Sequence, residues 1–175
     1  MSAVRTLPAI EEVWSWLAEV PDPEIPVISL VDLGIIRDVA YEGETLVVTV
    51  TPTYSGCPAT SIINLDIEQA LRDHGVEALR LERRISPPWT TDWISAEGRE
   101  KLRAYGIAPP IDGTAADGRL IQRARRLAGA ADLSIACPRC GSTRTERVSQ
   151  FGSTPCKASY RCAECLEPFD YFKCI

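Results

Sequence analysis

Two CxxC pairs near the C-terminus, Cys137-Pro138-Arg139-Cys140 and Cys162-Ala163-Glu164-Cys165, constrain this chain more than any other feature. A CxxC turn pinches two sulfurs close enough to share one ion at about 2.3 Å each, and two such turns supply the four thiolates of a tetrahedral soft-metal site. The 21 residues from Gly141 to Arg161 are enough for a hairpin that returns the second pair to the first. That spacing falls just past the upper end of the common zinc pattern. The competing reading is two unrelated pairs of buried thiols, or a pair of disulfides.

Composition narrows the surroundings of that site. The net charge of −5 and a pI of about 5.0 argue against a phosphate-dominated partner such as nucleic acid. There is no basic-then-apolar signal segment at Met1–Ile10 and no apolar run long enough for a membrane. A reducing cytoplasm is the expected compartment, and CxxC there means metal or redox chemistry rather than a disulfide scaffold. The chain has seven cysteines, so Cys57, Cys156 and Cys174 fall outside the tetrad.

Upstream, Ile10, Val13, Trp14 and Leu17 recur at helical spacing between Pro8 and Pro21. The loop Asp22-Pro23-Glu24-Ile25-Pro26 follows, its two prolines barring regular helix. Ile35–Tyr41 and Leu46–Thr51 alternate around Glu42-Gly43-Glu44 and predict a hairpin. Ala59–Asp73 carries Ile63, Ile67, Ala70 and Leu71 on one stripe, with Gly75 as its stop. Val76–Ile85 reads as a third strand, and Ser95 opens a short helix that Gly106 ends. The order α-β-β-α-β-α predicts an α+β class with a small α/β sandwich, helices covering one face of a three- or four-stranded sheet. We assign residues 1–106 to this domain, 107–135 to an Ala/Gly/Pro/Asp/Arg-rich linker and 136–175 to a β-rich zinc-ribbon-like domain. Arg119, Arg123, Arg125 and Arg126 in the linker lie among aspartates and no aromatics, the pattern of a solvated segment rather than a nucleic-acid patch.

Chemistry in the first domain centres on Cys57. It sits in Ser55-Gly56-Cys57-Pro58, where a strand passes into a helix. Pro58 suits the first helical position, which places Cys57 at or next to the N-cap with the amides of Ala59 and Thr60 facing its sulfur. This geometry predicts a thiol pKa below the ordinary value. Carboxylates (Asp22, Glu24) and hydroxyls (Thr51, Thr53, Ser55) are available for a mixed thiolate/oxygen iron site. A gap-filling buried cysteine is the alternative. The single histidine, His74, is at the far end of the helix, so no Cys–His nucleophile pair forms and independent enzymatic turnover is not expected.

The residues Asp22-Pro23-Glu24-Ile25-Pro26-Val27, Asp32-Leu33-Gly34-Ile35-Ile36, Thr51-Pro52-Thr53, Gly56-Cys57-Pro58 and Pro87-Pro88-Trp89-Thr90 resemble the metal–sulfur cluster assembly domain. Bacterial SufT and eukaryotic iron–sulfur targeting factors share that domain. Phe151-Gly152-Ser153-Thr154-Pro155-Cys156-Lys157, Tyr160-Arg161-Cys162 and Glu167-Pro168-Phe169 look like the PaaD family, which is encoded with the multicomponent phenylacetyl-CoA ring epoxidase of aerobic phenylacetate catabolism. The resemblance implies an accessory role in equipping the oxygenase, or its flavin/[2Fe–2S] reductase, with a metal centre. A structural subunit of the oxygenase complex and a general iron–sulfur carrier are the alternatives. By the same resemblance, the site for transient iron or an iron–sulfur cluster is Asp22, Glu24, Thr51, Thr53 and Cys57, acting alone or across a homodimer.

Zinc is the preferred ion for Cys137, Cys140, Cys162 and Cys165. Iron in a rubredoxin-like pair of knuckles is the runner-up. Rubredoxins favour glycine after both pairs, and here Gly141 follows the first but Leu166 the second. Cys156 is read either as an additional functional thiol near the tetrad or as a turn residue. Phe151, Tyr160, Phe169, Tyr171 and Phe172 are divided between ribbon core and a protein-docking surface.

Overall fold

β2 (Thr45–Val50) is buried along almost its whole length on both faces, and the first half of the chain is built around it. In the computed structural model, which describes residues 7–54, 56–111 and 134–173, β2 is the centre of a three-stranded sheet ordered β1-β2-β3. β1 (Ile36–Glu42) joins it as an antiparallel hairpin with Glu42 opposite Thr45, and Gly43 turns with φ +63°. β3 (Leu79–Arg83) runs parallel to β2, which requires a crossover, and α2 (Thr60–Asp73) supplies it. α1 (Ile10–Leu17) packs on α2 and β1. Its N-terminus is closed by the Glu12 carboxylate, which accepts from the Ala9 N–H at 2.9 Å. Val13, Leu17, Leu46, Val48, Ile67 and Leu71 are all fully buried.

α2 ends in paired bonds, Gly75 N–H to the Arg72 carbonyl at 2.8 Å and Val76 N–H to the Leu71 carbonyl at 3.0 Å. Val76 is thereby spent on the helix terminus, and the third strand is five residues, shorter than the expected Val76–Ile85. Of the two tryptophans on α1, neither is fully buried; Trp16 stacks on His74 with ring centroids 4.2 Å apart.

The chain divides into two units, Met1–Trp89 and Thr90–Ile175. This differs from the boundary expected at residue 106, and the reason is local. Ser95 caps α3 (Ala96–Tyr105) as anticipated, its hydroxyl accepting from Gly98 N–H at 2.8 Å, and Gly106 ends it. The next two residues, assigned to the linker by composition, instead form β4 (Ile107–Ala108), which pairs parallel with β7 (Pro168–Phe172). That pairing draws α3 into the second unit. Its sheet is ordered β4-β7-β6-β5, with β5 (Thr145–Ser149) and β6 (Lys157–Cys162) antiparallel. Ala108, Ile135, Ala158, Tyr160, Phe169 and Tyr171 form its core around Cys137 and Cys162. The aromatic set is thus mostly interior, and Phe151 alone of the five stays largely exposed, under the Lys173 ammonium at 4.5 Å.

At the end of β6 away from Cys162, Lys157 is buried against Asp170 at 3.5 Å, and Ser153 and Ser159 donate to the same carboxylate. Gly152 lies so close that a Cβ there would stand 2.8 Å from Asp170 Oδ1. The expected arginine-rich linker residues, Ser55 and Cys174 lie outside the described residues. Among the described residues no helix is long and apolar enough to cross a membrane.

Candidate metal centre and thiol site

Each CxxC folds into the same knuckle. In the first, Cys137 N–H donates to the Ser142 carbonyl at 2.9 Å; in the second, Cys162 N–H donates to the Glu167 carbonyl at 3.0 Å. Both are bonds between residues five apart, and both knuckles turn on a left-handed residue directly after the second cysteine. Gly141 takes φ +75° there, and Leu166 takes φ +61° although it carries a Cβ. The missing glycine therefore does not distort the second knuckle, and its absence does not discriminate against iron. Two ion pairs brace the knuckles crosswise, Arg139 to Glu167 at 3.5 Å and Arg144 to Glu164 at 2.7 Å.

The result is a tetrad whose four Sγ atoms lie within 4.8 Å of one another. Cys137 to Cys165 is 3.7 Å and Cys140 to Cys162 is 3.6 Å. These are not disulfides; all four are free thiols. They match a tetrahedron instead, since ligands at about 2.3 Å from a common centre stand about 3.8 Å apart. The donor set fits a soft cation in its charge as well. Amide bonds from Cys165 and Glu164 and the neighbouring thiols pull Cys162 down to about 7. At Cys165 an amide bond from Glu167 favours the thiolate, but burial and three adjacent sulfurs outweigh it and push the thiol up to about 12. Four thiolates in this space need a cation between them. Cys137 and Cys162 are buried and Cys140 and Cys165 face solvent.

Leu166 is 59% exposed, so it holds a left-handed backbone without a compensating core contact. An L-residue in that region costs about 1–2 kcal/mol, part of which glycine returns through its own chain entropy. Leu166→Gly is expected to stabilise the ribbon by roughly 0.5–1 kcal/mol, read as a raised denaturation midpoint with unchanged metal content. A fall in the midpoint would contradict this account of the knuckle.

Cys156 is not part of the tetrad. It precedes β6, whose far end carries Cys162, and six extended residues separate the two by about 20 Å. Its sulfur is buried and lies 3.0 Å from the Thr154 hydroxyl.

In the first unit the loop after α1 is closed on itself. Asp22 N–H donates to Ile28, Leu30 N–H to Val20, and Asp22 Oδ1 accepts from the amides of both Glu24 and Ile25 at 2.9 and 2.8 Å. Ile25, Ile28, Leu30 and Leu33 anchor the segment in the core, and Trp89 Nε1 donates to the Leu33 carbonyl at 2.9 Å. This brings the Asp22 and Glu24 carboxylates within electrostatic reach of Cys57. Thr51 and Thr53 are buried, and Thr51 Oγ1 has no hydrogen-bond partner among the described residues.

Two expectations about Cys57 are corrected. The N-cap of α2 is Ala59, not Cys57, because Cys57–Thr60 forms a separate turn in which the Thr60 amide and hydroxyl donate to the Cys57 carbonyl at 3.3 and 2.9 Å. The thiol is also raised above its ordinary value rather than lowered. Burial is the largest cause; the Ala59 amide and Thr60 hydroxyl favour the thiolate, but Glu24 and Asp22 oppose it. The helix-end donors anticipated from sequence are present and are outweighed. Cys57 remains a free, half-buried thiol. Among the described residues, only the tetrad gathers three or more Cys, His, Asp or Glu ligand atoms closely enough for a metal, so the Cys57 set is open rather than a closed cage.

Comparison with known proteins follows the same division. Residues 10–78 match the model of an iron-sulfur cluster assembly protein, and residues 122–173 match the PaaD zinc beta ribbon domain. An Escherichia coli K12 protein described as a putative component of the 1,2-phenylacetyl-CoA epoxidase is 46% identical over 168 residues, covering 96% of this chain and 94% of that one. An Fe-S protein maturation auxiliary factor of Porphyromonas gingivalis is 34% identical, covering 53% of this chain and 89% of the factor. The Bacillus subtilis factor YitW is 36% identical, covering 49% and 84%. The shorter relatives match about half of this chain, whereas the E. coli protein matches nearly all of it. With a cluster-assembly unit leading into a four-cysteine ribbon, and near full-length similarity to the E. coli epoxidase component, this chain belongs to the PaaD family.

Proposed function

We propose that this chain is a non-catalytic accessory protein of a phenylacetyl-CoA epoxidase system. It helps install the iron or iron–sulfur centre of the oxygenase or of its flavin/[2Fe–2S] reductase. Its partners are these client proteins, and its compartment is the cytoplasm. The observation that carries the reading is Cys57: a free, half-buried thiol at a strand-to-helix junction, with Asp22 and Glu24 close enough to act on its charge. The names of the P. gingivalis and B. subtilis relatives, and the cluster-assembly model that matches residues 10–78 and so includes Cys57, support maturation chemistry.

Cys137, Cys140, Cys162 and Cys165 hold a structural zinc in this reading. The ion supplies folding energy to a segment too small to form a sufficient core alone. The ribbon then serves as the docking module for the client.

The test is a strain in which Cys57→Ser replaces the native chain. The client is expected to accumulate at normal levels but with iron content reduced at least several-fold, read by elemental analysis of the purified client. Undiminished iron would reject the maturation role. The description of the E. coli relative as a putative epoxidase subunit supports a second reading, a permanent structural component. That reading expects stoichiometric co-purification with the oxygenase and no effect of Cys57→Ser on iron.

A further inference from the structure

β5 ends the strand order β4-β7-β6-β5, so among the described residues it pairs on one side only. From Glu146 to Ser149 every residue is exposed, on both faces of the strand. Val148 is the extra residue of a bulge. Arg147 stands opposite Tyr160 and Ser149 opposite Ser159, which leaves Val148 with no residue across from it and 65% exposed. Phe151, three positions on, is 64% exposed.

A single exposed apolar side chain is ordinary on a soluble protein. What sets this pair apart is the loop that carries Phe151. Gly152 N–H donates to the Lys157 carbonyl at 2.9 Å, Lys157 N–H to the Thr154 carbonyl at 3.1 Å, and the Ser153 hydroxyl to Asp170 at 3.2 Å. From beyond β7, Lys173 N–H donates to the Cys156 carbonyl at 2.9 Å and its Nζ to the Gln150 carbonyl at 3.1 Å. These bonds lie on either side of Phe151 and fix its backbone while the ring stays in solvent. An aromatic anchor held in place before contact loses little freedom on binding.

The sign of this edge differs from that of the whole chain. Arg147 adjoins Val148, and the Lys173 ammonium lies 4.5 Å from the Phe151 ring centroid. Glu146, the one carboxylate on β5, stands opposite Arg161. On a chain of net charge −5, cations thus frame the two apolar side chains. The complementary surface is apolar at its centre and bears carboxylates at its rim. The bulge interrupts the outer row of backbone donors and acceptors, so the edge does not suit an added strand. Insertion into a cleft does suit it.

We propose that the β5–β6 hairpin is the element that docks on the client protein, with Phe151 and Val148 entering an apolar cleft whose acidic rim meets Arg147 and Lys173. This rests on the accessory reading above and names the surface through which the ribbon would act.

The experiment uses the full, zinc-loaded chain, titrated separately with the purified oxygenase and the purified reductase of the cognate epoxidase. One of the two is expected to bind, more weakly as salt rises. Phe151→Asp and Val148→Asp should each weaken binding roughly tenfold or more, with zinc content and circular dichroism unchanged because both side chains are exposed. Gly152→Ala keeps both anchors but sets a Cβ 2.8 Å from Asp170 Oδ1, so it disturbs the brace and should weaken binding too. Leu65→Asp, at a comparably exposed position on α2, should leave binding intact. Undiminished binding by Phe151→Asp, or loss with Leu65→Asp in its place, would overturn the hairpin as docking element and leave the accessory role standing. Wild-type binding to neither protein would reject both. Normal client iron with Cys57→Ser, alongside binding lost with Phe151→Asp, would reject maturation and keep the docking surface.

Discussion

Replacing Cys162 by serine is expected to unfold the ribbon while leaving the first unit intact. Cys162 is fully buried and belongs at once to the tetrad and to the small aromatic core. Loss of one of four ligands removes most of the metal's contribution to folding, which for structural zinc sites is on the order of 10 kcal/mol. No core this size replaces that. The amides of residues 134–173 should lose hydrogen-exchange protection, those of β1–β3 should keep theirs, and bound metal should fall below stoichiometric. Cys156→Ser is the matched control, a buried thiol six positions earlier that should leave metal content unchanged. A Cys162→Ser chain that retained metal and ribbon protection would refute the tetrad as the organising element.

The second large effect is expected at Asp170. Its carboxylate neutralises Lys157, whose side chain is 6% exposed, and collects the hydroxyls of Ser153 and Ser159. Asp170→Ala would strand an ammonium in the interior and take away the acceptor of two serine hydroxyls, one exposed and one part-buried. The full cost of breaking a buried pair is about 3–5 kcal/mol. Asp170 is itself a quarter exposed, so water screens part of this and about 2–3 kcal/mol is expected. The double variant Lys157→Met/Asp170→Leu should recover much of the loss, because replacing both partners by apolar groups leaves nothing unpaired. Denaturant midpoints measure both; a single variant costing under about 0.5 kcal/mol would show that the pair is solvated.

What could be read from sequence follows the range of the interactions involved. α1 spans Ile10–Leu17 because periodicity and flanking prolines bound it locally, and Ser95 and Gly106 delimit α3 for equally local reasons. The tetrad was legible because metal chemistry fixes ligand type and spacing together. β4 was not: two residues carry no period, and their strand character comes from Asp170 and Tyr171, far along the chain. The rise in the Cys57 pKa was equally hidden. Helix-end donors can be inferred from Gly-Cys-Pro, but burial and the approach of Glu24 and Asp22 depend on how the loop after α1 closes. Leu166 shows a third kind of limit, where the knuckle imposes a backbone conformation that the residue's intrinsic preference opposes.

The pairing of Ile107 with Asp170 also ranks events in time. The β6–β7 hairpin and both knuckles close over short stretches, whereas β4 reaches its partner only by closing a loop of about sixty residues, at greater entropic cost. During synthesis on the ribosome, β4 emerges well before β7 exists. It must wait, solvated and unmatched, until ion capture has shaped the edge it completes. A nascent chain starved of metal would therefore display an open strand edge, and that edge is where a chaperone or protease would first recognise the failure.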